Sequence, residues 1–259
     1  MGSVMALRSV NSDGSRLCTF TASMTSAAIC PLAAVPLRKE PSDISEMTSQ
    51  ILLGETMEVL EPGEKWSMVK LHHDGYEGWV STRQIQPLRE PAPAPRIFRD
   101  AALQLTPGII PAGALLRGAE HQMEYTPVPI AQYASMFLGA PYLWGGRTIL
   151  GMDCSGFTQL VFRLTGKEIL RDAWQQATLG EEIAFVHEAL NGDLAFFDNP
   201  EGRIIHVGLV LREEEQELPT IIHASGKVRV DILDHEGIFN RDIQQYSHRL
   251  RTIRRLPFS

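Results

Sequence analysis

The chain has few cysteines, no surplus of basic residues and no long apolar run, and each shortage excludes a class of protein. Its three cysteines form an odd set with no close pair, which excludes a disulfide framework and a Cys–His zinc site and favours a reducing compartment. A net charge of −7 leaves no basic surplus to neutralise phosphates, so general nucleic-acid binding is excluded. No apolar run approaches the roughly 20 residues that span a membrane. What remains is a globular protein, 44% hydrophobic and 21% charged, of one large domain or two smaller ones.

The first 25 residues are weakly apolar, and Asp13, Gly14 and Arg16 interrupt the stretch. Because a secretion signal needs a continuous apolar core, we predict that residues 1–25 are a disordered extension and that the protein is cytoplasmic. The alternative is a divergent export signal ending near residue 28, in an exported or periplasmic protein.

Short β-strands are predicted for the next part of the chain. Polar and apolar side chains alternate there, as in "KWSMVKL", and turn signals such as Pro62-Gly63 and Asp74-Gly75 separate the strands. Short, evenly spaced strands indicate a small barrel, which we place at residues 26–89. The stretch "EPAPAPR" then begins a linker and short β segment at residues 90–127, for which an abbreviated second barrel is one interpretation.

Residues 128–259 combine helices with strands. Apolar side chains in "PIAQYASMFLG" recur at i, i+3, i+4 and i+7, which predicts a helix that ends at Gly139. The same spacing after Cys154 predicts a second helix over residues 155–165. Beyond residue 190 strand-like segments follow one another, and the last of them, "TIRRL", has arginines on its polar face. Helices followed by antiparallel strands define an α+β domain.

Cys154, in "GMDCSGFTQL", lies at the start of the second helix, with Asp153 and Ser155 as capping candidates. A helix N-terminus has partial positive charge and free N–H groups, which favour a thiolate and can stabilise an oxyanion. A thiolate nucleophile also needs a general base. His206 and His223 lie in apolar strand-like segments, where a buried imidazole requires a hydrogen-bond partner. The order Cys, His, His therefore indicates a cysteine enzyme.

Structural roles are the alternative for the same residues. A lone cysteine near an apolar helix is usually a small core residue, and a lone histidine in a strand is usually a hydrogen-bonded structural one. We interpret the remaining histidines, which lie in polar or loop contexts, as surface residues: His72, His73, His121, His187, His235 and His248.

Several ordered motifs give a specific family resemblance. The segments "PYLWGGRTILGMDCSGFTQLVFRLTG", "RDAWQQ", "LNGDLAFF", "HVGLVL" and "IIHASGKVRV" together resemble the NlpC-type papain-like cysteine peptidases, which act on bacterial cell-wall peptides, over residues 128–256. The barrel segment, which ends in "DGYEGWV", is similar to the bacterial SH3-like domain that precedes this catalytic domain in the γ-D-glutamyl-L-diamino acid endopeptidases. The implied fold is α+β: a papain-like catalytic domain preceded by a small all-β SH3-like barrel.

The resemblance implies roles for individual residues. Cys154 is the expected nucleophile, His206 the base and His223 the residue that orients the base, and no metal or cofactor is implied. Asp153 matches an acid that binds the free α-amino group of the substrate's L-alanine, with helix capping as the alternative. Ser155 is likewise either a cap or a substrate ligand.

Further substrate-binding residues are expected along the cleft: Tyr76, Glu77, Tyr142, Trp144 and Asp172. For Tyr142 and Trp144 the alternative is burial in the core, and for the two barrel residues it is local packing of the "GYEGW" loop. Asp172 matches a polar substrate contact in the family. Ala173 stands where a more polar residue is common, which removes one hydrogen bond expected there.

Together these assignments predict a cytosolic cysteine endopeptidase for cell-wall peptide recycling. It would hydrolyse the γ-D-Glu–diamino acid bond of peptidoglycan stem peptides with a free N-terminal L-Ala, with no nucleic-acid partner and no membrane insertion. The barrel is expected to close one end of the cleft, and the pH dependence of kcat/KM is expected to be bell-shaped. The alternatives are an amidase or acyl transferase on the same fold, and a non-catalytic cell-wall-binding protein.

Overall fold

The structure, a computed structural model, describes residues 26–88, 95–100, 102–105, 108–116, 128–213 and 216–257. The predictions for residues 1–25, for His121 and for much of the linker concern residues outside these ranges. Among the helices within them, none has the length and apolar character needed to cross a membrane.

Strands make up most of the described chain. The strands are β1 Ser26–Ile29, β2 Ala34–Arg38, β3 Met47–Leu52, β4 Thr56–Glu61, β5 Trp66–Leu71, β6 Glu77–Ser81, β7 Gln86–Pro87, β8 Arg96–Ile97, β9 Ala102–Leu105, β10 Gly108–Pro111, β11 Leu115–Leu116, β12 Arg147–Thr148, β13 Gly151–Met152, β14 Glu181–Ile183, β15 Leu194–Asp198, β16 Ile204–Leu211, β17 Thr220–Ser225, β18 Lys227–Leu233, β19 Gly237–Asn240 and β20 Gln245–Arg255. The α-helices are α1 Ile130–Ser135, α2 Cys154–Leu164 and α3 Ala173–Gln176.

The first seven strands form the predicted barrel, in the order β3-β2-β6-β5-β4-β1-β7. On β5 every second side chain is buried, and the face between them, with Trp66, Met68 and Lys70, is half-buried. This matches the alternation in the sequence. The barrel core also contains Cys30, a free thiol whose pKa burial raises to about 12. Cys30 is therefore a structural residue. The short strands expected after the barrel pair as β8 with β11 and β9 with β10.

The second half of the chain has the predicted α+β order. Its antiparallel sheet runs β14-β20-β15-β16-β17-β18-β19, and β19 also pairs with β20. Helix α2 is buried on all sides between this sheet and α1, where Phe157 meets Phe137 edge to face at 6.3 Å. It begins at Cys154, as expected, and ends two residues before Gly166, whose φ of 86° stops the helix.

Buried ions join the barrel to the catalytic domain. Glu55, in the turn between β3 and β4, is fully buried and accepts hydrogen bonds from Arg147 and Arg163, which are also fully buried. Burial alone would raise the pKa of Glu55, but the positive charges of Arg147, His73 and Arg163 outweigh it and lower the pKa to about 2. We call these four residues the Glu55 cluster.

The prediction that His73 is a surface residue is wrong. Its side chain is 8% exposed, and its Nε2 lies 3.2 Å from a carboxylate oxygen of Asp74 and 3.7 Å from one of Glu55. The histidine belongs to a polar turn of the barrel, but that turn packs against the catalytic domain: Asp74 also accepts a hydrogen bond from Gln159 of α2. Contact with the second domain buries a residue that its local sequence places at the surface.

Candidate active site

Cys154 is the first residue of α2 and is 7% exposed at the floor of a cleft of about 670 Å³. Residues of the barrel and of the catalytic domain line this cleft together. The first main-chain N–H groups of a helix have no acceptor within it, and that of Ser155 is directed at the sulfur of Cys154, where it can also stabilise an oxyanion. The position therefore suits a nucleophile.

Asp153 precedes the nucleophile and caps the helix. Its carboxylate accepts hydrogen bonds from the main-chain N–H groups of Gly156 at 2.6 Å and Gly145 at 2.8 Å. The buried guanidinium of Arg171 faces both carboxylate oxygens at 3.0 and 2.6 Å and also donates to the hydroxyl of Ser155 at 2.9 Å. The capping alternative for Asp153 is thus observed, and the residue also lines the cleft. Whether Asp153 or Ser155 binds substrate stays a prediction.

His206 on β16 and His223 on β17 are brought together by the sheet. Nε2 of His206 lies 2.8 Å from Nδ1 of His223, and both rings are buried. The thiol of Cys154 interacts with the main chain of Val207, the residue after His206, so the sulfur lies against this strand. Nε2 of His223 in turn lies 3.1 Å from Asp231, a fully buried carboxylate on β18. The expected cysteine and histidine pair thus continues to an acid.

The prediction that His248 is a surface residue is also wrong. Its ring stacks on that of His206 with centroids 4.1 Å apart and an interplanar angle of 21°. Burial lowers the pKa of His248 to about 4, so the ring is neutral at pH 7. His248 lies on β20, and the pairing of β20 with β15, and of β15 with β16, carries it over the catalytic ring.

Burial controls the charge of the catalytic pair. It raises the pKa of Cys154 to about 12, with the Asp153 carboxylate adding to the effect, and it lowers the pKa of His206 well below 6.5. The sequence suggested a thiolate favoured by the helix N-terminus, but burial outweighs that effect. The pair therefore rests as thiol and neutral imidazole, and the imidazole removes the proton as the sulfur attacks.

We expect the acid limb of kcat/KM to lie well below pH 6.5. The reactive form requires neutral His206, and a lowered pKa keeps the imidazole unprotonated to lower pH, so activity is retained as the pH falls through 6.5 and is lost only further down. Initial rates at low substrate concentration, measured from about pH 4 to about pH 9, give the limb directly. A limb at or above the ordinary histidine pKa would show that His206 is not desolvated.

Two hydrogen bonds connect the barrel to the rim of the cleft. The hydroxyl of Tyr76 donates to Asp172 at 3.3 Å, and the indole N–H of Trp144 donates to Glu46 at 2.8 Å. Trp144 is 60% exposed, so it lines the cleft rather than the core. Asp172 forms no ion pair with any described residue, and burial raises its pKa.

The two other predicted contacts lie at different depths. Glu77 lines the barrel side of the cleft and pairs with Lys70 at 3.0 Å on the exposed surface. Tyr142 is half-buried and packs against the catalytic core, close enough to Cys154 for the two to influence each other electrostatically. Burial raises the pKa of Tyr142 to about 12, so its hydroxyl stays protonated. The packing of Tyr142 thus fits the core interpretation, and its contact with substrate stays a prediction.

Four residues of the site were not predicted: Glu46, Arg171, Asp231 and His248. A signal existed for Arg171, which adjoins Asp172 in the motif "RDAWQQ". A weaker one existed for Asp231, because "KVRVDIL" places three charged side chains, at i, i+2 and i+4, on one face of an otherwise apolar strand. The positions of Glu46 and His248 depend on contacts between elements distant in sequence.

A cysteine at a helix N-terminus, a histidine pair on the neighbouring strands and a small barrel in front define a papain-like domain behind an SH3-like barrel. The NlpC/P60 family matches residues 139–247, and the bacterial dipeptidyl-peptidase Sh3 domain matches residues 37–85. The chain therefore carries an NlpC/P60 domain preceded by this SH3 domain, and the resemblance drawn from the motifs is confirmed.

Two relatives of the chain share the name gamma-D-glutamyl-L-lysine dipeptidyl-peptidase. The chain is 44% identical over 90 residues to the gamma-D-glutamyl-L-lysine dipeptidyl-peptidase of Bacillus subtilis (strain 168), covering 34% of this chain and 30% of that protein. It is 26% identical over 221 residues to the protein of the same name from Bacillus cereus (strain ATCC 10987 / NRS 248), covering 66% of each. Both relatives are thus matched over only part of their length.

Solved structures confirm the fold. An NlpC/P60 family protein from Bacillus cereus ATCC 10987 superposes with a TM-score of 0.72 at 20% identity, covering 89% of this chain and 99% of that one. An NlpC/P60 endopeptidase from Photobacterium damselae subsp. piscicida superposes with a TM-score of 0.63 at 17% identity, covering 88% and 70%. At such identities the likeness establishes the two-domain architecture.

Proposed function

We propose that this protein is a cysteine peptidase that cleaves peptidoglycan stem peptides between γ-D-Glu and the following diamino acid, and that the substrate's L-Ala amine is free. One observation carries the proposal: the cleft of Cys154 is walled by the barrel, and its rim carries Asp172, a carboxylate without a cationic partner among the described residues. The names of the two Bacillus relatives support the bond and the release of a dipeptide.

The reaction follows from the positions of Cys154 and His206. The sulfur forms a bond to the γ-carbonyl carbon of D-Glu while His206 takes the thiol proton, and the N–H groups at the start of α2 stabilise the oxyanion. His206 then gives the proton to the departing amine of the diamino acid, which leaves a thioester. Water, deprotonated by the same imidazole, hydrolyses the thioester and releases L-Ala-γ-D-Glu.

The barrel supports a short acyl side of the substrate. A bare papain-like cleft is open at both ends, whereas here Tyr76 meets Asp172 and Glu46 meets Trp144 across the domain boundary. We propose that these contacts leave room for one residue before γ-D-Glu. That residue, L-Ala, then has its amine inside the cleft, where a buried ammonium requires a carboxylate.

Asp172 is a better partner for this ammonium than Asp153, the residue expected from the family resemblance. The carboxylate of Asp153 already faces the guanidinium of Arg171 and two main-chain N–H groups. Asp172 instead accepts from the neutral hydroxyl of Tyr76 and, as the cap of α3, from the main-chain N–H of Gln175. Burial raises the pKa of Asp172 although the nearby charge of Arg171 opposes the shift, and a bound ammonium would further stabilise the charged carboxylate.

We expect hydrolysis of L-Ala-γ-D-Glu-diamino acid peptides and little hydrolysis of the same peptides acylated at the L-Ala amine. Loss of the ammonium contact is expected to cost about 2 kcal/mol, which is roughly 30-fold in kcat/KM. Both peptides, with lysine and with diaminopimelate as the diamino acid, are assayed by the amount of diamino acid released, because cleavage of the free and of the acylated peptide gives this same product.

The variant Asp172→Asn should reduce the difference in kcat/KM between the free and the acylated peptide, mainly through a higher KM for the free peptide. Asp43→Asn, which makes the same change on the exposed surface of the barrel, is the control and should leave the difference intact. Equal rates of wild-type hydrolysis for both peptides would contradict the closed cleft. The substrate would then be the peptides of the intact wall.

The proposed recycling role and cytoplasmic location both rest on the requirement for a free L-Ala amine. A free L-Ala amine arises only after another enzyme, an amidase, has cut the stem peptide from the glycan. We therefore propose that the protein acts on released wall fragments inside the cell. The location would be contradicted by fractionation that finds the native protein outside the cytoplasm.

A further inference from the structure

The hydrogen-bond chain behind the catalytic base does not end at His223. Nδ1 of His223 lies 2.8 Å from Nε2 of His206, and its other nitrogen, Nε2, lies 3.1 Å from Oδ2 of Asp231. His223 is 1% exposed and Asp231 is fully buried. A neutral imidazole carries one N–H, so the two neighbours of His223 together decide which of its nitrogens donates and which accepts.

We infer that Asp231 is a positioning residue of the active site, whose carboxylate holds His223 as the Nε2–H tautomer. Nδ1 of His223 is then an acceptor, ready for the N–H that Nε2 of His206 presents in the imidazolium formed during catalysis. This inference rests on the role of His206 as the base in the proposed function. It concerns Asp231 only through His223, since the acid touches neither the thiol nor the substrate cleft.

The surroundings of Asp231 make it an acceptor only. Arg229 donates from Nε to Oδ2 at 2.7 Å and from Nη2 to Oδ1 at 2.9 Å, and the main-chain N–H of Arg241 donates to Oδ1 at 3.1 Å. Burial by itself raises the pKa of a carboxylate, but the hydrogen bonds from His223, Arg229 and Arg241 outweigh it and hold the pKa of Asp231 well below its usual range. A permanent carboxylate can only accept, so Nε2 of His223 must donate.

The variant Asp231→Asn tests the tautomer without changing shape. Arg229 donates to both carboxylate oxygens, but the second partner of Oδ1 is the main-chain N–H of Arg241, which can only donate, whereas the second partner of Oδ2 is His223, which can change its tautomer. We therefore expect the asparagine oxygen at the position of Oδ1 and its NH₂ group at the position of Oδ2, pointing at His223. That arrangement requires Nε2 of His223 to accept and Nδ1 to carry the proton. The Nδ1–H of His223 and the Nε2–H of the His206 imidazolium would then face each other, so the imidazolium would have no hydrogen-bond acceptor.

We expect Asp231→Asn to lower kcat by about 10²-fold with little change in KM, because the wrong tautomer affects the protonated base and not substrate binding. The matched control is Asp193→Asn. Asp193 is likewise a fully buried carboxylate that accepts two hydrogen bonds from one guanidinium, that of Arg255, at 2.9 and 2.7 Å. If Asp231 only stabilised the fold, both variants would lose stability and keep kcat.

A measurement on the wild type keeps the inference testable if Asp231→Asn does not fold. In protein labelled with ¹⁵N-histidine, the ring nitrogens of His223, assigned by the loss of their signals in His223→Gln, should show protonation at Nε2 and an unprotonated Nδ1. The opposite pattern, or an imidazolium, at neutral pH would overturn the inference. So would an Asp231→Asn variant with an unchanged tautomer and an unchanged kcat.

The same measurements separate this inference from the proposed function. The tautomer of His223, and the rate at which iodoacetamide alkylates Cys154, need no peptide substrate. We expect Asp231→Asn to slow alkylation at neutral pH while Asp193→Asn leaves it unchanged. If the stem peptides are not cleaved but these two readouts respond as expected, the substrate assignment fails and the positioning role of Asp231 stands.

Discussion

Replacing Cys154 with alanine is expected to lower turnover by about 10⁴-fold or more while leaving the fold in place. No other described residue at the cleft offers a thiol, and without the sulfur no thioester can form. The stability cost should be small, about 1 kcal/mol, because only one buried sulfur atom is lost. Release of L-Ala-γ-D-Glu measures the activity, and denaturant unfolding measures the stability.

The chain contains a matched control for this substitution. Cys30 is also a buried free thiol, but it lies in the barrel core away from the cleft. Cys30→Ala should show a similar stability loss and near wild-type turnover. Substantial residual activity in Cys154→Ala, or an equal loss in both variants, would contradict the assignment of the nucleophile.

Replacing Glu55 with glutamine is expected to lower the free energy of unfolding by about 3–5 kcal/mol. Glutamine keeps the shape but removes the buried carboxylate that Arg147 and Arg163 share, and leaves Arg163 only a longer ion pair, at 3.5 Å, with the partly exposed Glu168. Both guanidinium groups would remain fully buried, and an uncompensated buried charge is costly. Urea unfolding at neutral pH gives the change, and Glu61→Gln, an exposed position at the end of β4, should stay within about 0.5 kcal/mol of wild type.

The effect of Glu55→Gln should depend on pH in one direction. The folded-state pKa of Glu55, about 2, lies below its ordinary value of 4.5, so the carboxylate stabilises the folded state fully above pH 4.5. This contribution is lost as the pH falls towards about 2, where the folded state also takes up the proton. The stability curves of wild type and Glu55→Gln should therefore converge on acidification. Parallel curves would mean that Glu55 acts through packing and not through its charge.

Local sequence patterns were sufficient to predict much of the secondary structure. The alternation on β5 and the helical spacing after Cys154 are properties of single segments, and both elements formed where the sequence predicted them. The positions of His206 and His223 also sufficed to predict that the two rings meet, because each lies in an apolar segment that the core must bury. In such segments the sequence neighbours of a residue largely decide its environment.

The errors concern residues whose environment comes from distant elements. His248 lies in a strand with mostly exposed neighbours, and only the pairing of β20 with β15 brings its ring onto His206. His73 is buried because a polar turn of one domain meets a helix of the other. The ion pair between Asp153 and Arg171 likewise joins residues from separate segments, and no local pattern encodes the direction of Arg171. Charge partners of this kind are set by packing geometry alone.

Helix α2 connects the nucleophile to the boundary between the two domains. It is an 11-residue rod, about 16 Å long, with the nucleophile Cys154 at one end and Arg163, the ion partner of the barrel's Glu55, next to the other. If the barrel detached, Arg163 would keep only its longer ion pair with Glu168, at 3.5 Å, and the cleft would lose the side chains of Tyr76 and Glu46. Removal of the barrel is therefore expected to weaken the Arg163 end of the helix that carries the nucleophile as well as to open the cleft.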